Sequence, residues 1–123
     1  MDPNDDARLI FAKRLREARL AVGLAQEALG GAVGISAEVA RTRISRYENA
    51  VNECDLRTAK RLASELDMPL AALYAETREI AEAVTALTKL SIDEQRKEVA
   101  RLQRKAGIKK PTSAGAGKRG KKK

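Results

Sequence analysis

Helical periodicity with almost no proline to interrupt it constrains this chain more than any other feature. Proline occurs only at positions 3, 69 and 111, so residues 4–68 carry nothing that breaks a helix by ring clash and a missing N–H. No run alternates apolar and polar residues with the period of two that a half-buried strand requires. Apolar residues return every three to four positions instead, and the chain reads as all-α. From about Asp5 to Val22 a broad stripe of Leu9, Ile10, Ala12, Leu15, Ala18, Leu20 and Val22 predicts a first helix, with Arg8, Lys13, Arg14, Arg16 and Arg19 mostly off it. Gly23 is its stop. A short second helix is expected from about Ala25 to Ala32, then a turn at Gly34, then a third helix from about Ala37 to Asn49 behind Ser36 in the N-cap position. Asp55 caps a fourth helix, Leu56 to Leu66, that carries Leu56, Ala59, Leu62, Ala63 and Leu66 on one side. Pro69 opens a short fifth helix at the first-turn position that tolerates it. Beyond Ala75, the residues Ile80, Val84 and Leu87 mark a sixth helix, and Ser91 with Glu94 forms the capping box of a last one reaching about Lys105.

Composition then excludes whole classes of chemistry. A chain of 123 residues fits one compact domain plus an appendage. Its only aromatics are Phe11, Tyr47 and Tyr74, all three expected inside, so aliphatic residues must fill the core. Histidine is missing, which removes the imidazole base, and the single Cys54 cannot build a zinc site of about four ligands. No catalytic residues, metal or cofactor are expected. Gly30-Gly31-Ala32-Val33-Gly34 superficially looks phosphate-binding, but it lies between two helices and lacks the preceding strand and the lysine. Cys54 has no disulfide partner within the chain, and no basic neighbour in sequence marks it as a reactive thiol. The acidic start Met1-Asp2-Pro3-Asn4-Asp5-Asp6 does not look like a signal peptide, and no apolar stretch approaches the roughly 20 residues that span a bilayer. A cytoplasmic protein without a membrane partner is the expectation.

The charge is uneven. Seven of the eight net positive charges fall in Gly107–Lys123, leaving residues 1–106 at +1. This Gly-, Ala- and Lys-rich end cannot bury enough apolar surface to order itself and is expected to be disordered. It serves either as a solubilising end or as a non-specific phosphate contact.

The segment from Leu15 to Tyr74 resembles the lambda-repressor-like helix-turn-helix family, the XRE family of bacterial and phage regulators. The resemblance rests on Leu15-Arg16, Gly23-Leu24-Ala25-Gln26-Glu27-Ala28-Leu29 and Val33-Gly34-Ile35-Ser36. It continues through Ile44-Ser45-Arg46-Tyr47-Glu48-Asn49, Leu62-Ala63-Ser64-Glu65-Leu66 and Pro69-Leu70-Ala71-Ala72-Leu73-Tyr74. It implies a five-helix DNA-binding domain over residues 7–75, behind an N-terminal arm (1–6). Two further helices (76–106) follow as a candidate dimerisation element, and then the lysine-rich tail (107–123).

A helical wheel supplies an independent reading of the third helix. With Ile44 at zero and about 100° per residue, Ala40, Tyr47 and Glu48 fall on the inward side and Thr42, Ser45 and Arg46 on the outward side. Arg41 and Arg43 flank them. Arginine's planar fork matches both guanine's major-groove acceptors and phosphate. Carried over from the family, Arg41, Thr42, Ser45 and Arg46 match base-reading positions, and Gln26, Arg43, Asn49 and Arg57 match phosphate contacts. Glu48 is read as structural, pairing with Arg16 or Arg19. The resemblance implies a sequence-specific regulator, most simply a repressor, bound as a homodimer to a palindromic double-stranded operator. No small-molecule effector is expected, because no separate domain remains to house one.

Three departures stand out. Seven residues separate Ser36 from Ile44 where the family usually has three, so either the third helix is longer at its N-terminus or the turn before it is larger. In the first case Ala37, Glu38 and Val39 meet DNA first, with Glu38 near phosphate or accepting from a cytosine amino group. Ala25 replaces the usual Ser or Thr cap, and Ala50 replaces a common glycine. Two other functions stay open. An antitoxin-like or adaptor protein would mainly bind another protein and co-purify with it regardless of salt, whereas a histone-like coat would lose binding with residues 107–123.

Overall fold

The computed structural model describes residues 6–109, which form two compact units divided between Leu87 and Thr88. Residues 1–5 and 110–123, and with them most of the expected N-terminal arm and lysine-rich tail, lie outside the described residues. The described residues form six α-helices and one 3-10 helix with no strand. No helix among them is long and apolar enough to cross a membrane.

The first unit starts with α1 (Ala7–Val22), capped by the Asp6 carboxylate, which accepts from the Arg8 N–H at 2.9 Å. Gly23 ends it with a left-handed backbone (φ 76°), and the Gly23 and Leu24 N–H groups donate to the Leu20 and Arg19 carbonyls. This double bond pattern closes a helix whose last carbonyls would otherwise be unpaired. α2 (Gln26–Ala32) follows Ala25, whose side chain cannot cap it, as the sequence implies. Gly34 (φ +89°) repeats the left-handed stop, with Ile35 N–H donating to Gly30 O at 3.0 Å. α3 (Ala37–Glu48) begins directly after Ser36, so the four additional residues enter the helix and leave the turn short. Four residues are close to one helical turn, which keeps the inward face in phase. Two residues past the end of α3, Ala50 is held left-handed at φ 58° without glycine's freedom.

α4 (Leu56–Glu65) is capped by Asp55, whose Oδ2 accepts from the Thr58 N–H at 3.0 Å. The expected fifth helix is a 3-10 turn, Leu70–Tyr74, with Pro69 just before it. α5 (Arg78–Leu87) packs against this turn through Ala81, which joins Ala72 and Ala75 in a small buried cluster. The first unit therefore runs past Ala75 and takes in α5. In the second unit the Ser91–Glu94 capping box is present in both directions and opens α6 (Ile92–Ala106), which buries none of its residues. Ile92, Val99 and Leu102 are all exposed.

The main core gathers Phe11 and Leu15 of α1, Leu29 of α2, Ile44 and Tyr47 of α3, Leu62 of α4 and Leu73 of the 3-10 turn. Phe11 bridges the other two aromatics, edge-on to Tyr47 at 6.5 Å and tilted against Tyr74 at 5.3 Å. The wheel of α3 is correct: Ala40, Ile44, Tyr47 and Glu48 are its buried residues. The stripe of α1 requires correction. Arg14 and Arg19 are only 6% and 8% exposed, whereas Leu9, Leu20 and Val22 face solvent. Arg19 can be drawn inward because it is paired and hydrogen-bonded to Glu48, 2.6 Å from its Nε, whereas Arg14 has the Glu17 charge 3.2 Å from Nη1 but no hydrogen bond at its buried Nε or Nη1. Leu56, expected on the apolar side of α4, is exposed at the helix start.

Candidate nucleic-acid interface

The site is built on one helix whose back is fixed. α2 and α3 pack so closely that a Cβ added at Gly30 would lie 2.7 Å from the Cβ of Ala40. Only glycine permits that approach, and it sets the crossing of the two helices. A buried polar cluster fixes the other end. Arg19 of α1 donates from Nε to Glu48 Oε2 at 2.6 Å, from Nη2 to Glu48 Oε1 at 3.0 Å and from Nη1 to the Leu24 carbonyl at 2.8 Å. Gln26 of α2 donates from Nε2 to the same Glu48 Oε1 at 3.0 Å. One carboxylate thus ties three helices together, and the partner of Glu48 is Arg19, while Arg16 is exposed. The Glu48 hydrogen bond raises the Arg19 pKa, so the guanidinium stays charged at any pH the protein meets.

With Ile44, Tyr47 and Glu48 locked inward, the opposite face of α3 is presented to solvent. Arg41, Thr42, Ser45, Arg46 and Asn49 line a single open concavity of about 460 Å³, together with Val51. All four residues read as base contacts are therefore brought together, and one of the four phosphate candidates joins them. Its walls combine two guanidinium forks with hydroxyl and amide groups, a donor-rich surface suited to the acceptors of guanine edges and phosphate. Asn49 donates from Nδ2 to the Ser45 carbonyl at 2.8 Å and lies 3.2 Å from Ser45 Oγ, so its amide is already oriented along the concavity.

The remaining candidates lie elsewhere. Arg43 is exposed on the flank of α3, where burial raises the Tyr47 pKa and the Arg43 charge opposes that rise. Arg57 is exposed on the first turn of α4, and its charge helps lower the pKa of Asp55, after the larger effect of the Thr58 hydrogen bonds. Gln26 is half-buried with its amide nitrogen on Glu48, so that donor is already engaged within the fold. Val51 is the lining residue that sequence reasoning missed. The left-handed Ala50 turns the chain back so that the Val51 N–H donates to the Arg46 carbonyl at 2.9 Å. The Asn49-Ala50 pair at a helix end was the available signal.

Cys54 stands beside this turn, half-buried, and burial followed by the neighbouring Asp55 charge pushes its thiol up to about 12. Such a thiol is unreactive near neutral pH. No group of three or more Cys, Asp or Glu side chains among the described residues could hold a metal ion.

Comparison with known proteins points the same way. Residues 15–73 match the family model described as helix-turn-helix. The chain is also similar to the crystal structure of transcriptional regulator BswR, with 33% sequence identity, 76% of this chain and 92% of that chain covered, and a TM-score of 0.64. No match is found among curated proteins.

Proposed function

This chain belongs to the helix-turn-helix family of DNA-binding regulators, and from that membership we propose that it is a sequence-specific repressor that inserts α3 into the major groove of a palindromic operator. The carrying observation is the concavity in which Arg41, Thr42, Ser45, Arg46 and Asn49 converge on the free side of a helix anchored by Ile44 and Glu48. In this reading Arg41, Thr42, Ser45 and Arg46 read base edges. Arg43, Asn49, Arg57 and the α2 start at Gln26 contact phosphates and set the register, a role that carries no sequence information of its own.

Binding as a homodimer would place two copies of α3 about one helical turn of DNA apart. The exposed apolar residues Ile80 of α5 and Ile92, Val99 and Leu102 of α6 are the candidate dimer contacts. Because Ala81 anchors α5 to the first unit, truncation after Leu87 tests α6 alone without opening the small alanine cluster. An unchanged dimer in that variant removes α6 from the contact. Action on DNA places the protein in the cytoplasm with the nucleoid.

Selection of bound duplexes from a random pool tests the function directly. The expected result is one enriched palindrome, bound at least 10³-fold better than random DNA, the lower end of the usual ratio. A pool that stays random after repeated rounds refutes the reading.

A further inference from the structure

The turn that lengthens α3 carries its own chemistry. Of Ala37, Glu38, Val39 and Ala40, only Glu38 has a side chain that can hydrogen-bond. Its position is not arbitrary. Glu38, Thr42, Ser45 and Asn49 are spaced by four, three and four residues, so they share one face of the helix. Three of these four line the concavity described above. Glu38 continues the row one turn toward the helix start, about 6 Å beyond Thr42 at 1.5 Å per residue. Base pairs are spaced about 3.4 Å apart along a strand, so the row reaches one to two pairs further than Thr42 does.

Glu38 is exposed, and its recorded partner is the Ser36 hydroxyl at a long 3.4 Å. No salt bridge to Glu38 occurs among the described residues. A carboxylate with no cation to neutralise it is a poor neighbour for phosphate. In the major groove it accepts only, so it is repelled by the acceptors of guanine and thymine. Adenine offers an amino group beside the acceptor N7, whereas cytosine offers its amino group with no acceptor on the same base. The first-turn N–H groups of α3 favour negative charge at this position.

We propose that Glu38, on the added first turn of α3, is a specificity-determining residue that requires cytosine at one position in each half-site, outside the pairs read by Thr42 and Arg46. It selects mainly by exclusion: guanine and thymine leave the carboxylate desolvated and unpaired in a field of phosphates, and adenine pairs it only beside the repelling N7. The inference rests on α3 being the base-reading helix.

Random-pool duplex selection with the full chain, run in parallel for wild type, Glu38→Ala and Glu38→Gln, separates the two claims. Circular dichroism melting of each variant checks the fold, which an exposed substitution should leave intact. In wild type one cytosine per half-site should be preferred roughly 5- to 150-fold, the usual range for a single mismatch. Glu38→Ala should remove that preference and no other, while binding to duplexes with other bases there becomes tighter. Glu38→Gln should move the preference to adenine, which offers the amide both a donor and an acceptor. If Glu38→Ala keeps every base preference, or raises affinity uniformly, the inference fails and the base-reading role of α3 survives. If wild type itself selects nothing, the role of α3 fails first and takes this inference with it.

Discussion

Replacing Glu48 with alanine should be among the most damaging single changes in this protein, although the residue lies on the helix assigned to DNA. Its side chain is fully buried and its carboxylate accepts from Arg19 Nε at 2.6 Å, Arg19 Nη2 at 3.0 Å and Gln26 Nε2 at 3.0 Å. Removing it leaves a guanidinium that is itself 8% exposed with only the Leu24 carbonyl, and strands the Gln26 amide. Breaking a buried pair from one side costs about 3–5 kcal/mol. Native stabilities lie at about 5–15 kcal/mol, so a unit of this size loses a large share of its total. In a domain of 60–100 residues each kcal/mol shifts the melting temperature by about 4–8 °C, which gives a fall of roughly 12–40 °C. The assay is thermal and urea denaturation followed by circular dichroism. The double variant Arg19→Met with Glu48→Leu supplies the control: with both charges gone, the desolvation penalty goes with them, and most of the stability should return. If Glu48→Ala melts within 1 °C of wild type, or if the double variant is as unstable as the two single costs added together, the reasoning about the buried cluster is wrong.

Three further outcomes are expected. Arg46→Ala removes an exposed fork that lines the concavity, so stability should change by less than about 0.5 kcal/mol while operator affinity falls by about 1–3 kcal/mol; unfolding of this variant would show that α3 presents a different face. Ala50→Gly relieves the left-handed strain at φ 58° and should raise stability by about 0.5–1 kcal/mol, net of glycine's greater chain entropy, measured by urea midpoint at constant slope. Cys54 should alkylate with iodoacetamide at pH 8 about a thousand-fold more slowly in the native protein than after unfolding, since raising the thiol from 9.0 to about 12 cuts the thiolate by that factor. Because the folded value lies above the unfolded one, the protection holds at neutral pH and disappears only in strong alkali. Equal native and unfolded rates would rule out the burial of this thiol.

Much of the fold was legible because helix boundaries are local. Gly23, Gly34, Asp55 and the Ser91–Glu94 box act through their own neighbours' backbone groups, so sequence alone places them. The wheel of α3 is correct for a similar reason: Ile44, Ala40 and Tyr47 are apolar and were bound to face inward together. The stripe of α1 was not legible, because sequence patterning sorts residues by polarity alone. Burial of Arg19 depends on a carboxylate 29 positions away that supplies compensating bonds, and Arg14 is buried with only the Glu17 charge beside it, its Nε and Nη1 making no hydrogen bond. Val51 escaped notice because its place in the concavity depends on the single left-handed residue before it.

By itself, then, the order of residues determined an all-helical chain, the ends of its helices and which side of α3 carries donors, since each follows from periodicity and from bonds made within a turn or two. Tertiary structure alone decided whether four added residues would lengthen α3 or its turn, which arginine meets Glu48, and that Gly30 lets α2 touch Ala40. Those outcomes depend on distances between segments far apart in sequence, where packing and buried charge compensation choose among arrangements that local preference leaves equal.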